Sequence, residues 1–168
     1  MPINIKECDG GIGILIESRD MVTDEELIDS LEKPLTHDWE KFKTYRYILV
    51  DNTSLTNLDL TDETVDYISG LFGAASSVNP DAILAMIAHV SYGANVDLID
   101  TISQMRELFM NRSCWETLQF RTRPEAVRWL RGKLSDKFGI NGLTFDWKPD
   151  AIPFGVGAAV WAPCYAYR

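Results

Sequence analysis

The chain has 168 residues, of which 46% are hydrophobic and 24% charged, the proportions of one globular domain with a sizeable core. Its net charge of −9 argues against nucleic-acid binding, because neutralising phosphates requires a basic surface. The three cysteines are far apart and form no C-x-x-C pair, which argues against a zinc site and a disulfide framework. No H-x-x-x-H, H-E-x-x-H or EF-hand spacing occurs either, and we predict neither a metal nor a cofactor. No run reaches the roughly 18 apolar residues of a membrane helix, and the first residues lack the pattern of a signal peptide, so we expect a cytoplasmic protein.

The chain begins with the pattern of a β-hairpin. Ile3–Lys6 and Ile12–Glu17 have the composition of strands, and Asp9-Gly10-Gly11 lies between them. Glycine adopts the positive φ angles that tight turns require. The sequence therefore predicts two antiparallel strands at one edge of a sheet.

A helix is predicted next. Thr23 and Glu26 have the spacing of a capping box, in which the hydroxyl and the carboxylate satisfy backbone amides at a helix start. The helix is expected to continue to about Leu31. Residues 32–43 have a mixed pattern interrupted by Pro34, which is typical of a loop or of a broken helix.

The middle of the chain alternates strands with helices. Tyr47–Val50 is continuously apolar, which indicates a strand buried on both faces of a parallel sheet. The predicted strands are 45–50, 82–88 and 117–120, and the predicted helices are 61–77, 94–110 and 122–137. This order predicts an α/β fold: a mostly parallel five-stranded sheet with an antiparallel N-terminal hairpin edge and helices on both faces.

Residues 139–168 differ from the domain predicted over residues 1–138. They are rich in glycine, proline and aromatic residues, and large aromatic rings gain free energy from burial. We therefore expect an aromatic arm that packs on its own domain or on a second subunit of a homodimer. The residues predicted to anchor it are Trp147, Phe154, Trp161 and Tyr165.

Charge is unevenly distributed along the chain. Residues 1–100 carry 6 basic and 19 acidic side chains, net −13, whereas residues 101–168 carry 10 basic and 6 acidic ones, net +4. The last predicted helix is basic and could meet a lipid surface or an acidic partner, but the acidic remainder of the chain argues against a membrane.

Polar residues follow two of the predicted buried strands. Ligands of parallel sheets bind outside the carboxyl ends of the strands, where Asp51 and Thr53 would lie near His89 and Tyr92. A small ligand pocket is one interpretation, and ordinary loop capping is another. A hydrolase using Ser54, His89 and Asp51 is a third hypothesis, but no G-x-S-x-G elbow is present.

Two segments resemble the STAS-type, SpoIIAA-like regulatory domains. Tyr47–Asp51 followed by Leu58–Asp62, and then Phe120–Ala126, are similar to the central strand, the following turn and the last strand and helix of that family. The resemblance extends over about residues 3–134. It implies a non-catalytic module, in which a phosphorylatable serine at this turn controls docking onto a kinase or a regulator.

Carried over residue by residue, the resemblance assigns Asp59 to the family aspartate. Leu60 lies where the first serine would be, Thr61 where the second would be, and Asp62 replaces a glycine. Leucine cannot accept phosphate, so only Thr61 could serve the family's switch. The alternative is that Thr61 is simply the N-cap of the helix.

The leading functional hypothesis is a regulatory or protein-interaction module that uses Asp59, Thr61 and Asp62 and forms a homodimer. The alternative is a carrier or sensor of a small, partly apolar ligand in a CRAL-TRIO-like pocket. A hydrolase that uses His89 ranks third.

Overall fold

A computed structural model describes residues 2–88 and 96–145 of the chain. The described residues form five strands and five helices. The strands are β1 (Ile3–Cys8), β2 (Gly13–Thr23), β3 (Tyr47–Asp59), β4 (Ile83–Ile87) and β5 (Glu116–Phe120). The helices are α1 (Asp24–Thr36), α2 (Trp39–Phe42), α3 (Asp62–Val78), α4 (Val96–Arg112) and α5 (Arg123–Phe138).

The five strands form one sheet in the order β1-β2-β3-β4-β5. β1 pairs with β2 in an antiparallel manner, and the other three pairs are parallel. A short turn over Asp9–Gly11 joins β1 to β2, and Gly10 and Gly11 have φ angles of 68° and 90°. The predicted α/β fold with an antiparallel hairpin edge is confirmed.

Helices cover both faces of the sheet, as predicted. Alternate strand residues such as Ile48 and Leu84 pack with α1 to α4 on one face. Their neighbours Leu49 and Ile83 pack with α5 on the other face. Right-handed crossovers between strands that follow one another in order place every connecting helix on the same side. Only α5, which follows the last strand, is free to cover the opposite side.

β2 and β3 extend beyond the rest of the sheet as a two-stranded ribbon. Residues 19–23 of β2 pair with residues 54–59 of β3. The prediction that this strand ends at residue 50 was therefore wrong, because β3 continues to Asp59. The polar sequence there suggested a loop, but β2 supplies hydrogen-bond partners, and Leu55 and Leu58 pack against the core.

The segment of uncertain pattern, residues 32–43, is helical in most of its length. α1 runs through Pro34 to Thr36, and the short α2 follows. The buried side-chain amide of Asn79 donates to the carbonyls of Phe42 and Tyr45, at 2.9 and 2.8 Å. These bonds hold the end of α2 against the end of α3.

Candidate functional site

The helices α1 and α3 begin side by side at the tip of the β2–β3 ribbon. Thr23 and Asp59, the last residues of the two strands, are paired. The Glu26 carboxylate accepts from the backbone N–H of Thr23 at 3.1 Å, which completes the predicted capping box. The backbone N–H of Thr61 donates to the Asp24 carboxylate at 2.9 Å and ties the two helix starts together.

Thr61 is the N-cap of α3, so the capping alternative from the sequence is confirmed. Its hydroxyl oxygen accepts from the backbone N–H of Thr64 at 3.3 Å. The same hydroxyl donates to the Thr64 hydroxyl at 3.2 Å. The side chain of Thr61 is exposed, and its regulatory role stays a prediction.

Carboxylates gather around Thr61 in what we call the acidic end. Its members are Asp24, Glu25, Asp59, Asp62 and Glu63. Asp24 is partly exposed and the other four are exposed. The backbone N–H of Thr61 is the main cause that lowers the pKa of Asp24. The structure thus brings together the three predicted residues Asp59, Thr61 and Asp62 and adds Asp24 and Glu25 from α1.

The acidic end places several negative charges at one end of the fold. Carboxylates at helix starts are stabilised by the helix dipole, which accounts for part of this composition. Paired negative charges on an exposed surface attract basic groups of a partner and repel acidic ones.

Two carboxylates are buried where β2 and β3 leave the main sheet. Glu17 and Asp51 lie side by side in the strand register and are 3% and 1% exposed. Arg123, at the start of α5, bridges them: its Nη2 lies 2.9 Å from Glu17 Oε1, and its Nε donates to Asp51 Oδ2. This cluster joins the first turn of α5 to the central strands.

The buried cluster is electrostatically satisfied. Burial raises the pKa of Glu17, but Lys6, the Asn4 amide and Arg123 together outweigh burial and lower it. Lys6 Nζ lies 3.5 Å from Glu17 Oε2. With this set of partners, Glu17 is held as a charged group inside the fold.

Asp51 and Thr53, two residues of the predicted ligand pocket, contact each other. Asp51 Oδ1 accepts from the backbone N–H and the hydroxyl of Thr53, at 2.9 and 2.7 Å. Its other oxygen is occupied by Arg123. His89 and Tyr92 lie outside the described residues, so the pocket and the hydrolase hypothesis stay predictions.

Sequence reasoning missed the roles of Glu17 and Arg123. A signal was present, because Glu17 follows the apolar run Ile14–Ile16 and Asp51 follows the run Ile48–Val50. A carboxylate placed directly after a buried strand requires a cation or several donors nearby. The sequence does not say which of the basic residues supplies them.

One cavity lies inside the fold between the sheet and the helices α1, α3 and α4. Its volume is about 50 Å³, and its walls include Val50, Leu58 and Phe109. Pockets for small molecules usually measure about 300–1,000 Å³. This cavity therefore adds no support to the carrier hypothesis, which stays a prediction.

Two further clefts are open to the surface. One of about 510 Å³ runs between β1 and the helices α1 and α2. The other, of about 710 Å³, lies beside α5, where the guanidinium of Arg131 is 5.4 Å from the centre of the Phe145 ring.

Residues 2–88 and 96–145 contain neither a metal-binding cluster nor a membrane-spanning helix. No group of three or more His, Cys, Asp or Glu side chains there has the geometry to hold a metal ion. None of the helices in this part of the chain is long and apolar enough to cross a membrane.

The chain matches no protein-family model and no curated protein. Among solved structures, it is similar to the anti-sigma factor antagonist SpoIIAA in its unphosphorylated form, with 12% identity and a TM-score of 0.49, over 77% of this chain and 98% of that one. It is also similar to the Bacillus cell fate determinant SpoIIAA in the phosphorylated form, with 12% identity and a TM-score of 0.47, over 77% of this chain and 99% of that one. Both structures are of SpoIIAA, the protein after which the resemblance drawn from the sequence is named, and both TM-scores are below 0.5. At this identity the likeness concerns the fold and says nothing of what this chain binds.

Proposed function

We propose that this chain is a regulatory protein-interaction module whose docking surface is the acidic end, with Asp59, Thr61 and Asp62 at its centre. The observation that carries the proposal is the gathering of five carboxylates around an exposed threonine, at a point where two helices begin. The partner surface is expected to be basic.

The availability of these carboxylates supports docking. In residues 2–88 and 96–145, the ion pairs are formed by other acidic side chains, such as Glu17, Asp66 and Glu116. Asp24 is engaged by the backbone N–H of Thr61, whereas the exposed carboxylates of Asp59, Asp62 and Glu63 form no ion pair within these residues and can meet lysine and arginine side chains of a partner. Charges at the rim of an interface mainly accelerate association and select the partner, and their effect weakens as salt is added.

The acidic end lies on regular secondary structure, which suits a docking surface better than a loop does. The acidic end is held by two capped helices and by the paired strands of the ribbon. Because the carboxylates are positioned before binding, less conformational entropy is lost when a partner docks.

The proposal is tested by neutralising the acidic end. The surface variant carries Asp59→Asn, Asp62→Asn and Glu63→Gln. The control variant carries Asp100→Asn, Glu107→Gln and Asp136→Asn, three exposed acids elsewhere that give the same change in net charge.

Both variants and the unmodified chain are used to enrich proteins from a lysate of the source cells, with quantitative mass spectrometry. We expect one or a few basic proteins to be recovered by the unmodified chain and by the control, and at least about tenfold less by the surface variant. Equal recovery by all three chains, or equal loss from both variants, would show that docking does not use the acidic end.

A further inference from the structure

The cleft beside α5 is basic. It measures about 710 Å³, and three arginines line it, Arg123, Arg128 and Arg131, together with the apolar side chains of Pro124 and Val127. Arg128 and Arg131 are exposed. Because they are three positions apart, they lie next to each other on the surface of the helix. We call this surface the basic cleft.

The guanidinium groups of Arg128 and Arg131 are available to an anion. In residues 2–88 and 96–145, carboxylates form ion pairs with Arg123, Lys133 and Lys137 of α5, but not with Arg128 or Arg131. Like charges side by side on a helix repel each other, and a bound anion relieves this repulsion. Guanidinium groups also match planar carboxylates in shape and donate paired hydrogen bonds to them. The basic cleft therefore suits a partner that carries carboxylates.

The ring of Phe145 helps to position one side of the cleft. The guanidinium of Arg131 lies 5.4 Å from the centre of this ring, at the distance of a cation–π contact. The backbone N–H of Phe145 in turn donates to the Asp9 carboxylate at 3.0 Å. Arg131 is thus positioned before a partner arrives, which lowers the entropy cost of binding.

The charge of the remaining chain limits what can approach the basic cleft. Residues 1–100 carry 6 basic and 19 acidic side chains, net −13, and the whole chain has a net charge of −9. An extended array of phosphates, such as a nucleic acid or a membrane surface, would meet these acidic regions as well and be repelled. A compact cluster of carboxylates can contact the cleft alone, and we expect the partner to present such a cluster.

The acidic end of a second copy of this chain is a compact cluster of carboxylates. Five of them gather at the tip of the β2–β3 ribbon. β3 pairs with β4 only as far as Asp51 and continues to Asp59, so the ribbon projects beyond the rest of the sheet. Near the same tip, Met21 is paired with Asn57 and is 51% exposed, which offers an apolar contact to the wall of the cleft. A projecting acidic tip and a basic cleft are complementary in charge and in shape.

The two surfaces are placed to meet between copies rather than within one. The helices α1 and α3, at whose starts the acidic end lies, pack on one face of the sheet, and α5 packs on the other face. Each copy therefore presents an acidic end to one neighbour and a basic cleft to another. Because the two surfaces differ, the contact is head to tail and leaves a free surface of each kind at the ends of the assembly.

We propose that the acidic end of one copy docks in the basic cleft of the next, where Arg128 and Arg131 bind its carboxylates. This inference rests on the proposed function, because it uses the acidic end as a docking surface and names a second copy as a partner. Self-association covers the acidic end, so it competes with the docking of any other partner. The contact is built from described residues alone; the anchors of the predicted aromatic arm, Trp147, Phe154, Trp161 and Tyr165, lie outside them.

The test is analytical ultracentrifugation of the full chain at low salt, with two complementary variants. The cleft variant carries Arg128→Gln and Arg131→Gln and keeps the acidic end. The surface variant described above has a neutralised acidic end and keeps the basic cleft. The control for the cleft variant carries Lys43→Gln and Lys137→Gln, which remove two exposed cations outside the cleft. The acidic control of the enrichment experiment serves for the surface variant.

We expect the weight-average mass of the unmodified chain and of both controls to rise with concentration. The cleft variant and the surface variant, each measured alone, should associate at least about tenfold more weakly. An equimolar mixture of the two should regain the affinity of the unmodified chain, because one supplies the acidic end and the other supplies the cleft. This mixture should stop at two chains, since the outer surfaces of the pair are the altered ones.

Two results would overturn the inference and leave the proposed function in place. One is a monomer mass of the unmodified chain at every concentration, because the enrichment experiment does not depend on self-association. The other is association lost in the surface variant but not in the cleft variant, which would place the acidic end on a different basic surface.

Two further results would also overturn it. Association lost in the cleft variant but not in the surface variant would remove the acidic end from the contact and count against the proposed function as well. Association that both variants keep, or that the mixture does not regain, would show that the acidic end and the basic cleft are not the two halves of one interface.

Discussion

Replacing Arg123 by methionine removes the cation that contacts both buried carboxylates of the sheet. Methionine keeps the length and the apolar stem of the side chain, so the main change is the loss of charge and of hydrogen bonds. Glu17 and Asp51 would then lie side by side with like charges, 3% and 1% exposed. The free energy of unfolding should fall.

The size of the loss can be estimated from the geometry. An ion pair at about 4 Å contributes about 4 kcal/mol at an effective dielectric constant of about 20, and breaking a buried pair usually costs about 3–5 kcal/mol. The side chain of Arg123 is 22% exposed, and Lys6 and Arg19 remain 3.5 and 3.7 Å from Glu17. We therefore expect the low end of this range, about 3 kcal/mol.

Urea unfolding followed by circular dichroism measures this loss. With a slope of about 2 kcal/mol per molar urea, the midpoint should fall by about 1.5 M at pH 7. Arg128→Met is the matched control, because Arg128 is an exposed arginine of the same helix. A midpoint shift no larger than that of the control would refute the structural role of Arg123.

The pH dependence gives a second check. The pKa of Glu17 is lower in the folded chain than in the unfolded chain. Glu17 therefore contributes fully to stability above its unfolded pKa of about 4.3. This contribution is lost as the pH falls through the folded pKa. In Arg123→Met the folded pKa of Glu17 rises, and protonation relieves the buried charge. The difference in stability between the two chains should therefore be largest near pH 7 and smaller near pH 4. A difference independent of pH would contradict this explanation.

Two local features yield further predictions. Thr61→Ala should lower the free energy of unfolding by about 1 kcal/mol in urea titrations. Thr61→Ser keeps the capping oxygen and should change the free energy of unfolding by only about a few tenths of a kcal/mol. Equal losses in the two variants would contradict the N-cap assignment. Gly13→Ala places a Cβ 1.9 Å from Cζ of Tyr47, whose ring is fully buried and whose hydroxyl is held by Asp9 at 2.6 Å. This overpacking should lower the free energy of unfolding, measured by calorimetry, by about 2–3 kcal/mol. Gly132 lies inside α5, and a Cβ added there meets open space. Gly132→Ala should therefore raise the free energy of unfolding by about 0.5–1 kcal/mol. If Gly13→Ala were instead the more stable of the two variants, the packing described around Tyr47 would be refuted.

Features that depend on neighbouring residues could be predicted from the sequence. The capping box at Thr23 and the turn at Gly10 rest on contacts within three or four residues. Local chemistry decides such structures, so a single sequence suffices. The predicted cluster of Asp59, Thr61 and Asp62 belongs to the same class.

Features that depend on distant residues could not be predicted. Arg123 reaches Asp51 across 72 residues of sequence and Glu17 across 106, and only the folded sheet brings them together. The second half of β3 is another example, because its polar residues become a strand only when β2 supplies the ladder. Asp24 joins the acidic end for the same reason, since the paired strands place the start of α1 beside Thr61.

The most direct test of the docking function is the salt dependence of binding to a purified partner recovered by the enrichment experiment. Isothermal titration calorimetry would compare the unmodified chain with the chain carrying Asp59→Asn, Asp62→Asn and Glu63→Gln. We predict that the affinity of the unmodified chain falls steeply as salt rises from low to physiological concentration. The variant should bind at least about tenfold more weakly and with a shallower salt dependence. Identical affinities and identical salt dependences of the two chains would contradict the assignment of the acidic end as the docking surface.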